Sequence, residues 1–228
     1  MKGKPTTQNR LPRLATQIAG VILFSLSADA GTIYASVGDD DTGRYIVNTT
    51  GAMGIHWTST VGFTNVSIAV NEWSYFDEQG TLYLTNAIGT GTTVANEIAS
   101  TTFTFYLRTA PTVPTPETTL LSGLTLPAGN YYLTMVGLGN SNSSGWECCS
   151  SSDTSAAGVT IGQSYHSSGT SGYAPSWGAG FSNYPLVFSI TGDAATAAPE
   201  PGSAMLSLFG IAALAYAARR RSAGRTRP

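Results

Sequence analysis

From residue 31 to residue 192, apolar and polar side chains alternate in short runs. Val66, Ile68 and Val70 alternate with Asn65, Ser67 and Asn71, and Leu82 and Leu84 with Thr81, Tyr83 and Thr85. Phe103, Phe105 and Leu107 alternate with Thr102, Thr104, Tyr106 and Arg108, and Leu186, Phe188 and Ile190 with Val187, Ser189 and Thr191. Tyr131 to Leu138 is a further strand candidate. A period of two sends successive side chains to opposite faces, so each run predicts a half-buried antiparallel strand with its first-named set inward. The runs are separated by turn-forming stretches: Gly38 to Gly43, Asp77 to Gly80, Pro111 to Pro116 and Pro127 to Asn130. No segment of the body carries a helical period of normal length. The pattern predicts an all-β fold, an antiparallel β-sandwich of jelly-roll type.

The two ends of the chain break this pattern. Lys2, Lys4, Arg10 and Arg13 precede an apolar stretch from Leu14 to Ser27, and Ala28-Asp29-Ala30 follows as an A-x-A cleavage site. That is the make-up of a secretory signal peptide over 1–30, with an uncleaved membrane anchor as the alternative. At the other end, Pro199-Glu200-Pro201 precedes an uncharged run from Ala204 to Ala218 and then Arg219, Arg220 and Arg221. Proline fixes φ and lacks an N–H, so the Pro-Glu-Pro segment is expected to be extended and exposed. As a helix, 204–218 would span about 23 Å at roughly 1.5 Å per residue. Tilt-free spanning of a core of about 30 Å then needs local thinning and snorkelling of the flanking arginines. Leu206, Leu208, Phe209, Ile211, Leu214 and Tyr216 point all round such a helix, which suits a membrane span better than a surface helix. The arginines place 219–228 on the cytoplasmic side and the body opposite. The expected organisation is signal helix 1–30, β-sandwich 31–192, linker 193–203, transmembrane helix 204–218 and basic tail 219–228.

Charge looks different once the ends are set apart. Of the eleven lysines and arginines, only Arg44 and Arg108 lie in residues 31–198, against eleven acids from Asp39 to Asp193. A lysine-free body with a net charge of −9 repels phosphate backbones and excludes nucleic-acid binding as its task.

In the order Pro-Glu-Pro, short apolar helix, arginine-rich terminus, Ala198 to Arg227 resembles the PEP-CTERM sorting signal of Gram-negative bacteria. The same tail is also similar to one described as the C-terminal domain of an ice-binding protein, although nothing in these residues implies ice binding. The resemblance implies a substrate of exosortase, a membrane-embedded cysteine transpeptidase or protease. That enzyme would recognise Pro199, Glu200 and Pro201, cut near them, and release or re-anchor the body beyond the inner membrane, at the cell surface or in an extracellular matrix or biofilm rich in exopolysaccharide. Leu121-Ser-Gly-Leu-Thr-Leu-Pro-Ala-Gly-Asn-Tyr-Tyr-Leu-Thr134 is similar to an element of secreted bacterial sandwich domains that carry such tails, domains shaped like carbohydrate-binding modules. In it the Pro-Ala-Gly-Asn turn reverses the chain and one ring of the tyrosine pair points inward.

Candidate chemistry within the body is sparse. Gly137 to Phe181 is the least regular stretch, rich in Ser, Gly, Asn and Thr, and long loops of that kind are either functional or disordered. It holds Trp146, Tyr173 and Trp177, whose rings are candidates to stack on sugars, with core or loop packing as the alternative. The adjacent Cys148 and Cys149 can form a vicinal disulfide, bridge other chains, or remain thiols. Asp39 and Asp41 are candidate Ca²⁺ ligands, with a solvated acidic turn as the alternative; no other cofactor is expected. His56 reads as a structural strand residue and His166 as an exposed one, and no catalytic constellation is evident. The leading expectation is an exported non-enzymatic sandwich protein. A carbohydrate-binding module and a secreted hydrolase are the alternatives.

Overall fold

The computed structural model describes residues 30–38, 43–109, 115–140, 142–148, 150–183 and 185–195. The predicted signal helix, the Pro-Glu-Pro linker, the 204–218 span and the Arg219-Arg220-Arg221 cluster lie outside these residues, as do Asp39, Asp41 and Cys149. Among the described residues no helix is long and apolar enough to cross a membrane.

The alternating runs form strands that sort into two sheets. Sheet one holds β1 (Gly31–Gly38), β2 (Arg44–Ile46), β4 (Phe63–Ser74), β7 (Tyr106–Leu107), β8 (Glu117–Leu126), β10 (Ser144–Glu147), β11 (Ser150–Ser155) and β14 (Phe188–Ala194). Sheet two holds β3 (Gly51–Ser59), β5 (Gln79–Thr85), β6 (Glu97–Thr104), β9 (Gly129–Gly137), β12 (Val159–Ser168) and β13 (Gly178–Ser182). Sheet two runs β13-β12-β3-β9-β5-β6. Sheet one runs β11-β1-β14-β4, and β4 carries β8 on its other edge. Pairing is antiparallel throughout except between β4 and β7.

β4 organises sheet one. Its edge toward β14 runs from Val70↔Phe188 to Phe63↔Ala194, and its edge toward β8 from Phe63↔Leu126 to Asn71↔Glu117. Beyond Asn71, β10 and β7 take over the two edges, through Glu72↔Trp146 and Trp73↔Tyr106. Its inward positions Val66, Ile68 and Val70 are fully buried, as their alternation predicts. They meet Leu82 and Leu84 of β5, Leu133 and Met135 of β9, and Phe188 and Ile190 of β14 in one core. Trp57 stacks on Tyr131 at 5.4 Å between ring centroids, and Trp146 meets Phe188 edge-on at 6.1 Å. Each large apolar side chain buried here contributes about 1.5–3 kcal/mol. Tyr131 is the inward member of its pair and donates its hydroxyl to the Pro127 carbonyl, pinning the β8–β9 turn. Tyr132 points outward.

Two sequence expectations are corrected. Phe105 is buried, but Leu107 is exposed, because β6 ends at Thr104 and the Phe105 N–H leaves the ladder to bond Glu78 O at 3.0 Å. The alternation therefore changes phase at Phe105. Gly137 to Phe181 is not one irregular loop: it contains β10, β11, β12 and the start of β13, with a 3₁₀ turn at Ala174–Ser176. β11 and β13 are built mostly of small residues, and the register of β12 shifts between Ile161 and Ser164, so their period carries little hydropathy contrast.

Gly54 shows how closely side chain and backbone pack on the outer face of sheet two. A Cβ there would collide with the Tyr165 ring and with the Leu133 carbonyl. The absent side chain lets the Tyr165 hydroxyl cross the outer face of β3 to Thr134 Oγ1 (2.5 Å) and donate to Leu133 O (3.0 Å). Gly54→Ala is expected to destabilise the domain by about 1–3 kcal/mol or more, read as a fall in the thermal midpoint.

Glu72 follows Val70 on the core face of β4 and is 1 % exposed. Burial raises its pKa from 4.5 to about 7, opposed by the Tyr106 N–H (2.8 Å) and the Thr118 hydroxyl. Between these values the folded state holds a proton that the unfolded chain has released, so the contribution of Glu72 to stability is fully present below pH 4.5 and is lost as pH rises through 7. A shift of that size corresponds to about 3 kcal/mol. Burial lowers the pKa of His56, which works in the opposite sense. The difference between wild type and Glu72→Gln isolates Glu72: the wild type should lose stability from pH 4.5 to 8 relative to the variant in denaturant titrations.

Candidate functional site

The three candidate sugar-stacking rings do not share a surface. Trp146 lies between the sheets on β10, 0 % exposed, and its Nε1–H donates to Val187 O at 2.8 Å. Its pairing with Glu72 places it on the core face, so it presents no ring to a ligand. This corrects its reading as a binding residue. Trp177 and Tyr173 lie across sheet two, on the outer face. Trp177, 8 % exposed, joins Ala52, Val136 and Ala174 in a small second cluster against Tyr83. Its Nε1–H donates to Ser171 O at 3.0 Å. Tyr173 meets Tyr83 edge-on at 5.3 Å and donates its hydroxyl to Glu97 Oε2 at 3.0 Å. Burial and the Glu97 carboxylate push this phenol well above its ordinary pKa. The segment 169–177 is thereby strapped to the sheet, a strap also held by Gly89 N–H on Pro175 O at 2.8 Å. Indole and phenol groups that find internal acceptors are satisfied as packing residues.

Cys148 is buried and bridges Leu186 across sheet one, with its N–H on Gly43 O at 3.0 Å. The candidate disulfide partner Cys149 and the candidate Ca²⁺ ligands Asp39 and Asp41 lie outside the described residues. Among the described residues no three His, Cys, Asp or Glu side chains converge as metal ligands. His56 sits on the outer face of β3 and stacks on Tyr132 at 4.7 Å, in line with a structural role.

The outer face of sheet one holds an arrangement that strand periodicity alone does not reveal. Trp73 points away from the core, since it follows Glu72, yet it is buried. The Arg44 guanidinium lies 4.1 Å from its ring centroid and that of Arg108 4.7 Å, so the body's only two cations converge on one indole. Arg44 also lies 4.9 Å from the Tyr75 ring and donates Nη2–H to Asn142 O at 2.9 Å. Gly145, opposite Trp73 on β10, makes room: a Cβ there would lie 2.6 Å from Arg44 Cδ. Cation–π contacts of desolvated arginines contribute about 2 kcal/mol.

Beside Arg108 opens a cavity of about 340 Å³. Five strands of sheet one and their flanks line it: Ala35 and Val37 from β1, Val187 and Ser189 by β14, Asn71 from β4, Thr115 and Glu117 at β8, and Glu147 from β10. Small residues at its centre and long ones at its rim make a groove where a flat sheet face is the rule. The sequence signal that points here is the isolation of Arg44 and Arg108 in an acidic body.

Residues 197–221 match the PEP-CTERM protein-sorting motif, in agreement with the resemblance read from Pro199-Glu200-Pro201 and the segments behind it. The motif implies exosortase-dependent export sorting, exosortase as the processing partner, and a membrane-anchored state before processing. No curated protein and no solved structure matches the chain.

Because Trp146 is a core residue, Trp146→Ala is expected to cost about 3–5 kcal/mol in denaturant unfolding. Tyr173→Phe, which loses only the hydroxyl bond to Glu97, should cost no more than about 1.5 kcal/mol.

Proposed function

We propose that this carrier of the PEP-CTERM sorting motif is an exported, non-enzymatic β-sandwich protein that exosortase delivers to the cell surface or the extracellular polysaccharide matrix. The motif match at residues 197–221 behind an all-β body carries the reading. Pro199, Glu200 and Pro201 are the recognition segment, 204–218 the transient inner-membrane helix, and Arg219 to Arg221 the cytoplasmic stop. The acidic, lysine-free body supports a soluble cargo that neither nucleic acid nor anionic headgroups attract.

We also infer that the body is a jelly roll. The order β1-β14-β4-β8 in one sheet and β3-β9-β5-β6 in the other supports this, with β10 to β13 as an insertion between β9 and β14. The aromatic strap over sheet two supports a display role: rings that a binding loop would expose are packed against the fold instead.

Replacing Pro199 and Pro201 together by alanine tests the sorting reading. The variant should accumulate as an uncut precursor in the inner-membrane fraction, while mass spectrometry of wild-type protein from the surface or medium finds chains ending near Pro199. Equal processing of the two proteins, or retention of the full C-terminus in both, would overturn it.

A further inference from the structure

We propose that the groove on the outer face of sheet one, between Arg108 and Glu147, binds a neutral sugar residue. The site is built. Its volume of about 340 Å³ falls at the small end of ligand pockets, the scale of one or two sugar rings. Its bed is apolar and low, from Ala35, Val37 and Val187, and suits the C–H face of a pyranose. Around that bed stand donors and acceptors of several kinds. Arg108 contributes guanidinium N–H groups, and Glu117 and Glu147 contribute carboxylates. Asn71 donates its side-chain N–H to Thr115 O at 3.0 Å, which leaves its carbonyl oxygen as an acceptor.

Thr115 supplies the independent observation. It is 9 % exposed, it lines the cavity, and its Oγ1 is buried with no hydrogen-bond partner among the described residues. A buried hydroxyl left unpaired is destabilising, and a ligand hydroxyl in the groove would pair it. Sugar hydroxyls both donate and accept, which matches a wall of mixed donors and acceptors. The ionic groups select against anions: one arginine against two glutamates leaves the groove net negative, inside a body of charge −9. A uronic acid or sulfated sugar is therefore disfavoured and an uncharged one accepted.

Trp73 is a positioning residue in this scheme. Its ring, 4.7 Å from the Arg108 guanidinium, fixes the direction of the donor fork without touching the ligand. The platform differs from the one predicted at Trp146, Tyr173 and Trp177, since recognition here rests on hydrogen bonds around a narrow apolar bed. The inference stands apart from the sorting reading, because ligand titration tests one and cell fractionation the other.

The test uses the full chain in a detergent without sugar headgroups, with saturation-transfer NMR against glucose, galactose, mannose, cellobiose, maltose and lactose, and against glucuronate and galacturonate. Transfer to at least one neutral sugar and none to the uronates is expected. Ala35→Tyr, which fills the outward-facing bed, should abolish it. Thr115→Val should weaken affinity about tenfold while leaving the thermal midpoint equal or higher, because the hydroxyl it removes has no partner among the described residues. No transfer to any of the neutral sugars overturns the proposal, as does transfer unchanged in both variants or uronate binding as tight as neutral binding.

Discussion

Sheet one depends on both edges of β4 being paired at once. A strand of twelve residues spans about 40 Å, and each of its backbone groups needs a partner once the strand is covered. No single neighbour is long enough, so β14 and β8 serve the first part and β10 and β7 the remainder. The handover at Asn71 and Glu72 has two results. Inward, it brings a carboxylate and the Trp146 ring to the end of the core. Outward, it brings Trp73 beneath two arginines and leaves the groove beside them. Core and surface chemistry thus share one strand, read on its two faces.

The two outer faces then diverge for a packing reason. On sheet two, Ala52, Gly54 and Val136 form a low apolar surface, which the Tyr165 ring and the 169–177 strap cover. On sheet one the outward positions Ala35, Ser189 and Asn71 are small or polar, so water can reach them without a cover. On sheet two rings cover the outer face, whereas on sheet one the outward Trp73 ring is itself covered by Arg44 and Arg108.

Much of the core was legible in the sequence. Val66, Ile68, Val70, Leu82, Leu84, Phe188 and Ile190 alternate with polar residues and are all buried. Period two fails where the chain leaves a ladder, as at Phe105, or where the register shifts within a strand, as between Ile161 and Ser164 in β12. The rings of Trp146 and Trp177 stood among serines and glycines, and local sequence gives no sign of an acceptor such as Val187 O or Ser171 O arriving from a distant segment. The groove was harder still to foresee, because its lining comes from five strands and their flanks, spread along most of the body. The sorting tail is the opposite case: its information is linear, and Pro199-Glu200-Pro201 with the following run and arginines was readable without a fold.

The capture of both arginines by Trp73 also bears on resistance to proteases after export. Proteases of trypsin type cut after lysine or arginine and need several residues of the substrate in extended, accessible form around that side chain. Residues 31–198 offer such enzymes Arg44 and Arg108 alone. One is half-buried within a strand and the other almost wholly buried, and both are clasped to an indole. Cleavage at either bond has to wait until the arginine leaves the indole, so digestion by this protease class is governed by opening of the short β2 and β7 pairings.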